Sequence, residues 1–372
     1  MNVALFCTDA FGGRGGIAAV NRDLCRALTA APMEAHVTVF PRVVPEETVE
    51  DVPEKVDYRT RVAGSTLSYS GRAVWSAFTH RQQDFDAVLC THINLLPVAY
   101  AAARGHGTPL LLLVHGVEAW TPPKRLGARW LAPRVDAVVA VSRHTLARFR
   151  AWARVDKACC TIIPNAVDLG AFSPGPKPER LLDRYDLHNR TVLFTLSRLA
   201  ADEQYKGHDE VLAALTQLTE EISDVAYLIG GDGDDRLRLE RKAETLGVAD
   251  RVVFAGYVPN HEKIEHYRLA DAFVMPGRGE GFGIVYLEAL ACGIPVVASA
   301  ADASREAVRD GQLGVVVDPN DQDDVCRGIH EALGAERGTV PDGLAYFSQQ
   351  QFRERWQKVV QWTAGTSPPA NL

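Results

Sequence analysis

Nowhere does this 372-residue chain hold the ~20 consecutive apolar residues needed to span a bilayer. No basic leader with a small-residue cleavage site precedes its first apolar segment, MNVALFC. A cytoplasmic location is the expectation. Cysteine is sparse: seven residues run from Cys7 to Cys326, with only Cys159 and Cys160 adjacent. An odd, scattered set gives neither a disulfide framework nor a zinc spacing, so reduced and mostly buried thiols are expected. No internal repeat, low-complexity tract or nucleic-acid motif is visible, and a net charge of −7 argues against a nucleic-acid partner.

What is present is the balance of a globular protein, 47% hydrophobic and 23% charged, long enough for two domains that each bury a core. The charge is unevenly divided. Residues 1–172 carry 19 Lys/Arg against 15 Asp/Glu, and the remainder 21 against 32. The positive excess concentrates in PPKRLGARWLAPR (122–134) and SRHTLARFRAWARVDK (142–157), where Trp130, Leu131, Phe149 and Trp152 interleave with arginines. Such stretches suit an anionic membrane surface, or form solvated basic helices whose aromatic residues face the core.

Short apolar runs at 2–7, 35–40, 87–91, 109–114 and 137–141 alternate with helical patterns such as Ile17, Val20, Leu24 and Leu28, as in a parallel sheet covered by helices. The alternation resumes after residue 190 with TVLFTLS, VAYLIG, RVVFAG, AFVMP, PVVAS and LGVVV, separated by helical segments at 208–219, 235–246, 261–269 and 284–292. Two doubly wound α/β domains are predicted, at 1–172 and 190–343. A proline- and charge-rich linker at 173–189 separates them, and a helical tail follows at 344–372.

The segment with the most chemistry is EGFGIVYLEALACGIPVVAS, at 280–299. Gly281 and Gly283 permit close backbone approach to a ligand, and the run from Ile284 opens a helix whose free N–H groups face it. In one continuous helix Glu280 and Glu288 would stand roughly 12 Å apart along the axis, too far for the paired carboxylates of a glycoside hydrolase. Two separate ligand contacts fit better. Arg198 ends a strand at the carboxyl edge of a sheet, where ligands of open α/β sheets bind, and Lys206 precedes Gly207 and a helix start. GGDGDD (230–235) spells an Asp-x-Asp that could take a hard cation. It also lies between a strand and a helix, where its glycines could offer amides to phosphate or sugar, and it lacks the G-x-G-x-x-G of a nicotinamide enzyme. Gly15 and Gly16 follow the first strand, and His115 ends the strand LLLLV with Gly116 turning the chain at once.

Together with GGI (15–17), HGVEAW (115–120), AVSRHT (140–145), IIPNAVDLGAFSP (162–174), SRLAADEQYKG (197–207), FAGYV (254–258) and DGQLGVVVDP (310–319), the Glu-x7-Glu segment resembles the retaining glycosyltransferases of family 4, in nearly the whole chain and in the family's order. The resemblance implies the GT-B fold, two Rossmann-like domains facing a cleft, with the last helix crossing back to the first domain. It also implies transfer of a hexose from a nucleotide diphosphate sugar, GDP-mannose or a UDP-hexose, to an acceptor hydroxyl. No cofactor or metal is implied, since Arg198 and Lys206 hold the diphosphate in place of a metal ion. Glu280 would contact the donor sugar and Glu288 the ribose. Gly15, Gly16, Gly231, Asp232, Gly233, Tyr257, Val258, Gly281, Phe282, Gly283 and Ile284 would complete the donor site. His115 would touch the transferred sugar, and Gly16, Glu118 and Asn165 the acceptor. Ser197 stands where the family often has glycine, which affects the local turn. The subgroup resembled is that of bacterial exopolysaccharide and lipopolysaccharide assembly, with an acceptor glycan or lipid-linked saccharide. A sugar-nucleotide epimerase of the same fold, a catalytically silent scaffold and a small soluble acceptor are the alternatives.

Overall fold

A computed structural model describes residues 1–13, 15–44, 51–79, 84–124 and 126–365. The chain forms two compact units, one of residues 1–166 and 349–372 and the other of 167–348.

The first unit alternates strands and helices: β1 (Asn2–Cys7), α1 (Gly16–Thr29), β2 (His36–Pro41), β3 (Val56–Tyr58), α2 (Thr66–Thr79), β4 (Ala87–Cys90), α3 (Leu96–His106), β5 (Leu110–Val114), α4 (Val117–Trp120), α5 (Leu126–Leu131), β6 (Ala137–Ala140), α6 (Arg143–Ala153) and β7 (Cys160–Ile162). The seven strands form one parallel sheet in the order β3-β2-β1-β4-β5-β6-β7. Most are apolar along their length rather than alternating, because helices cover both faces of a parallel sheet. Phe6 stacks on Phe40 with ring centroids 4.8 Å apart, within a core that includes Val88, Leu112 and Phe149. The seven cysteines of the chain are all free thiols, five of them buried.

The second unit continues with α7 (Glu179–Tyr185), β8 (Thr191–Leu196), α8 (His208–Glu221), β9 (Val225–Gly230), α9 (Arg236–Thr245), β10 (Val252–Gly256), α10 (Lys263–Leu269), β11 (Ala272–Val274), α11 (Ile284–Ala291), β12 (Val296–Ser299), α12 (Ser304–Ala307), β13 (Val315–Val317) and α13 (Gln322–Gly334). Its six parallel strands are ordered β10-β9-β8-β11-β12-β13. Residues 173–189, expected as a linker, lie inside this unit and contain α7. Leu181 and Leu182 of α7 are buried, and the Tyr185 hydroxyl reaches His266 on α10 at 3.0 Å. The prolines all precede this helix, the last of them, Pro178, standing at its N-terminus, so none interrupts it.

In both sheets the chain lays strands to one side of the first strand and then reverses. The order changes hand between β1 and β4 in the first unit, and between β8 and β11 in the second. Ligands of such sheets sit beyond the carboxyl ends of the strands at that reversal. The loops that leave β8 and β11 carry Arg198 and Glu280.

The last helix, α14 (Gln349–Thr363), returns to the first unit, as the fold expectation required. It buries Phe352, Trp356, Val359 and Val360, and Gln357 Nε2 donates to the carbonyls of Ala27 at 2.8 Å and Ala30 at 2.9 Å. Carbonyls at a helix C-terminus lack intrahelical donors, so this buried amide closes the end of α1. Replacing Gln357 with Leu keeps the bulk and removes the donor. The expected loss is about 1–3 kcal/mol of stability in the first unit, read by denaturant-dependent hydrogen exchange of the α1 amides. An effect below about 0.5 kcal/mol, the level of an ordinary surface change, would contradict this role.

Candidate functional site

Over the strand reversal of the second sheet, Lys206 Nζ donates to Glu280 Oε2 at 2.8 Å, both side chains largely enclosed. Burial alone would lower the Lys206 pKa; the Glu280 carboxylate outweighs it and holds the ammonium above its ordinary value. Lys206 also lies over the ring of Tyr205, 5.4 Å from its centroid. The loop bearing Glu280 is fixed at its backbone: Glu280 N–H donates to Asp302 Oδ2 at 2.8 Å, and the Glu280 carbonyl accepts from Ala303 N–H at 3.1 Å. Asp302 in turn takes the Ser304 amide and hydroxyl on its other oxygen.

Arg198 leaves the end of β8 with its side chain 74% exposed, its guanidinium bonded to Glu203, which precedes the 204–206 turn that ends in Lys206. The two cations therefore belong to one local structure. Gly207 makes it possible. With φ at +89°, any Cβ there would lie 2.8 Å from the Pro276 backbone, so only glycine lets the Lys206 turn rest on the strand-end loop of β11.

Glu288 sits on α11 and is buried, with both oxygens engaged: Lys263 Nζ donates to Oε1 and Tyr267 Oη to Oε2, each at 2.6 Å. Burial, and then the Glu288 charge, push the Tyr267 hydroxyl well above its usual pKa, so it is a fixed donor. Tyr267 belongs to a buried aromatic set, 5.6 Å from Phe194 and 5.8 Å from Phe273, and Phe273 is 5.6 Å from Tyr286. Such pairs contribute about 0.5–1.5 kcal/mol each beyond area burial, and they lock α10 and α11 to the sheet. Glu280 and Glu288 thus stand in separate environments. Phe282 is buried against Phe347, and Gly283, at φ +87°, opens α11.

The glycines of GGDGDD act by close approach. At Gly231, φ is +131° and a Cβ would fall 1.7 Å from the Ser197 carbonyl oxygen. Its N–H donates to the Gly256 carbonyl at 2.8 Å, while Gly233 N–H meets Asp232 Oδ1 at 2.9 Å. Asp234 Oδ1 accepts from Ala201 N–H at 2.8 Å. Among the described residues no cluster of three His, Cys, Asp or Glu could hold a metal ion. Tyr257 is half exposed and Val258 buried after β10.

In the first unit, Gly15 precedes α1 with φ at +93°, and open space faces both Gly15 and Gly16 where side chains would be. His115 is buried at the end of β5, its Nε2 2.9 Å from the Thr91 carbonyl. A carbonyl only accepts, so Nε2 carries the proton and Nδ1 offers a lone pair. Glu118 Oε1 accepts from His115 N–H at 2.7 Å and Gly116 N–H at 3.1 Å, closing its own turn. Asn165 is buried after β7, with its side-chain oxygen unpaired.

Residues 14–171 match the family described as Glycosyltransferase Family 4, and residues 186–342 the one described as Glycosyl transferases group 1. The chain belongs to glycosyltransferase family 4. It is 31% identical over 96% of both chains to a GDP-mannose-dependent alpha-(1-6)-phosphatidylinositol monomannoside mannosyltransferase of Mycobacterium tuberculosis. To the protein of the same description from Mycolicibacterium smegmatis it is 36% identical over 71% of this chain and 72% of that one. Anabaena HepE in complex with UDP has the same fold, with a TM-score of 0.74 at 20% identity over 97% of this chain and 100% of that one. The architecture is GT-B.

Several groups of this family 4 glycosyltransferase carried no obvious sequence signal. Lys263, Tyr267 and Asp302 hold the two glutamates, yet in sequence each reads as an ordinary residue of an amphipathic stretch. Of the basic, aromatic segments, Phe149 is buried and Trp152 Nε1 donates to the Ala119 carbonyl, so these rings serve the core. Trp130 is different: it is 63% exposed, with Arg134 3.7 Å over its ring and Lys124 and Arg129 exposed nearby in sequence. Among the described residues no helix is long and apolar enough to cross a membrane.

Two buried histidines set a pH dependence. Burial lowers the pKa of His115 and of His208 from 6.5 to about 4. Between those values the unfolded chain binds protons that the folded chain refuses, so each histidine stabilises the fold fully above about pH 6.5 and loses that contribution as pH falls toward 4. Replacing His115 with Gln should flatten the slope of melting temperature against pH across this window. Parallel profiles for both proteins would contradict a neutral, buried His115.

Proposed function

We propose that this enzyme is a retaining, metal-independent hexosyltransferase that uses GDP-mannose and delivers mannose to a hydroxyl of a lipid-linked saccharide of the phosphatidylinositol mannoside type. Support for this donor and acceptor comes from the descriptions of relatives 31% and 36% identical to the chain over the aligned lengths. The observation that carries the reaction class is the Lys206–Glu280 pair beside Arg198 at the strand reversal. Cleaving a sugar–diphosphate bond develops negative charge on phosphate oxygens, and an enclosed Lys206 together with the exposed Arg198 can stabilise it without a metal ion. Glu280, oriented through Lys206 and Asp302, is assigned the sugar hydroxyls. Glu288 already accepts from Lys263 and Tyr267 and keeps lone pairs for ribose hydroxyls. In the first unit, the Nδ1 lone pair of His115, the unpaired oxygen of Asn165 and the open Gly15–Gly16 turn are assigned to the transferred sugar and the acceptor. The acceptor oxygen bonds to the anomeric carbon on the face that the diphosphate leaves, and the acceptor proton passes to the departing phosphate, so no covalent carboxylate intermediate is needed.

The experiment is transfer from GDP-mannose, UDP-glucose and dTDP-glucose in EDTA, with slow donor hydrolysis read where no acceptor is accepted. GDP-mannose should be used, with the product retaining the α configuration by NMR. Lys206→Ala and Arg198→Ala should each fall by about 100- to 1000-fold while remaining folded, the typical loss of one charge-stabilising group. An absolute requirement for Mn²⁺, abolished by replacing Asp232 and Asp234, would overturn the metal-independent assignment, and wild-type turnover by both cation variants would overturn the site.

The exposed Trp130 and its basic neighbours are assigned to an anionic membrane face presenting the acceptor. Each Lys or Arg near such a surface contributes about 1 kcal/mol, screened by salt. Full-length enzyme should sediment with phosphatidylserine vesicles at low salt and be released at high salt, and the Lys124→Ser/Arg129→Ser/Trp130→Ser variant should not sediment. Equal sedimentation of both proteins, or of neither, would remove the membrane assignment and leave a soluble acceptor.

A further inference from the structure

His208 is the first residue of α8, two positions after Lys206, and it is 4% exposed. Its Nε2 lies 2.8 Å from Ser197 Oγ and its Nδ1 2.9 Å from the Tyr227 hydroxyl on β9. That hydroxyl is 2.8 Å from Thr195 Oγ1 on β8, which is bonded to the Val274 carbonyl on β11. The protons in this chain can be placed by elimination. The Val274 carbonyl only accepts, so Thr195 gives it its one proton. Tyr227 must then donate to Thr195, and His208 Nδ1–H to Tyr227. Burial keeps the ring neutral, so Nε2 is a lone pair and accepts the Ser197 hydroxyl proton. Ser197 Oγ also lies 3.1 Å from the Arg198 carbonyl, where it has no second proton to give. One imidazole therefore ties the residue before Arg198 to the helix start after Lys206, and anchors both to three adjacent strands.

We propose that His208 is a positioning residue that, through Ser197, sets where Arg198 stands relative to Lys206, holding the two cations at the spacing of a nucleoside diphosphate. The proposal rests on the donor-site reading above. Arg198 has a long, largely exposed side chain that loses rotamer freedom when it grips a ligand. Its reach is then governed by its backbone, and that backbone is pinned on one side by the Ser197 hydroxyl. On the other side the Ser197 carbonyl lies against Gly231, where no side chain fits. A glycine at position 197 could not make this connection, because the serine hydroxyl supplies the proton that the neutral ring accepts.

The test is calorimetric affinity for GDP against GMP, and for UDP against UMP, in EDTA. The ratio within each pair isolates the β-phosphate from base and ribose contacts. Ser197→Ala removes one hydroxyl and should shrink the diphosphate advantage by about 10-fold, the equivalent of one lost buried hydrogen bond. It should leave monophosphate affinity within about twofold. Ser197→Thr, which restores a hydroxyl, should recover the ratio, and His208→Asn, which keeps a donor toward Tyr227 but cannot reach Ser197, should behave as Ser197→Ala. Lower melting temperatures with an unchanged ratio in Ser197→Ala and His208→Asn would show a merely structural hydrogen bond and overturn the proposal. Arg198→Ala separates the two levels. It must itself lose the diphosphate advantage, and if it does not, the donor-site reading fails and this proposal with it.

Discussion

The Lys206–Glu280 ion pair is the contact on which the rest of the second unit converges. Two opposite charges removed from most of their water are tolerable only while each satisfies the other, and removing one partner leaves an uncompensated charge. That constraint accounts for much of the surrounding sequence. Gly207 is needed so that the lysine turn can rest on the backbone after β11, and Asp302 so that the glutamate amide is held. Tyr205 fills the space beside Gly279, where any side chain would strike its ring. A preorganised pair of this kind suits a ligand that brings both phosphate charge and sugar hydroxyls, since the lysine keeps donors for one and the glutamate keeps lone pairs for the other.

Glu288 shows the same logic deeper in the fold. Its carboxylate is braced by Lys263 and Tyr267, and Tyr267 is braced by the aromatic set around Phe194 and Phe273. Packing energy in the core is thereby converted into a fixed direction for two carboxylate oxygens. In the first unit the corresponding work is done by main-chain contacts. His115 is oriented by the Thr91 carbonyl and Glu118 by the amides of its own turn.

The fold was largely legible in the sequence because parallel strands buried on both faces read as uninterrupted apolar runs. All six strands of the second sheet and five of the first stood out in this way. β3 and β7 did not, since VDY and CTI are three residues long and carry polar side chains at the sheet edges. α7 was hidden by the prolines at 174, 176 and 178 that lead into it. The residues grouped as a donor site by motif proved to be brought together in part. Lys206 meets Glu280 directly and Arg198 shares its turn, while the GGDGDD glycines pack closely on neighbouring backbone; of the residues expected at the acceptor, Glu118 closes its own turn. Ser197 registered only as a departure from glycine, because its partners, His208, Tyr227 and Thr195, are eleven, thirty and two residues away in sequence and no periodicity connects them.

A crystal structure of the full-length enzyme with GDP, grown in EDTA, tests the central claim most directly. The account predicts Lys206 Nζ and the Arg198 guanidinium each within about 3 Å of diphosphate oxygens, normal hydrogen-bond distance, with the ribose hydroxyls on Glu288. A nucleotide bound elsewhere, or one whose diphosphate leaves the Lys206–Glu280 pair untouched, would contradict it.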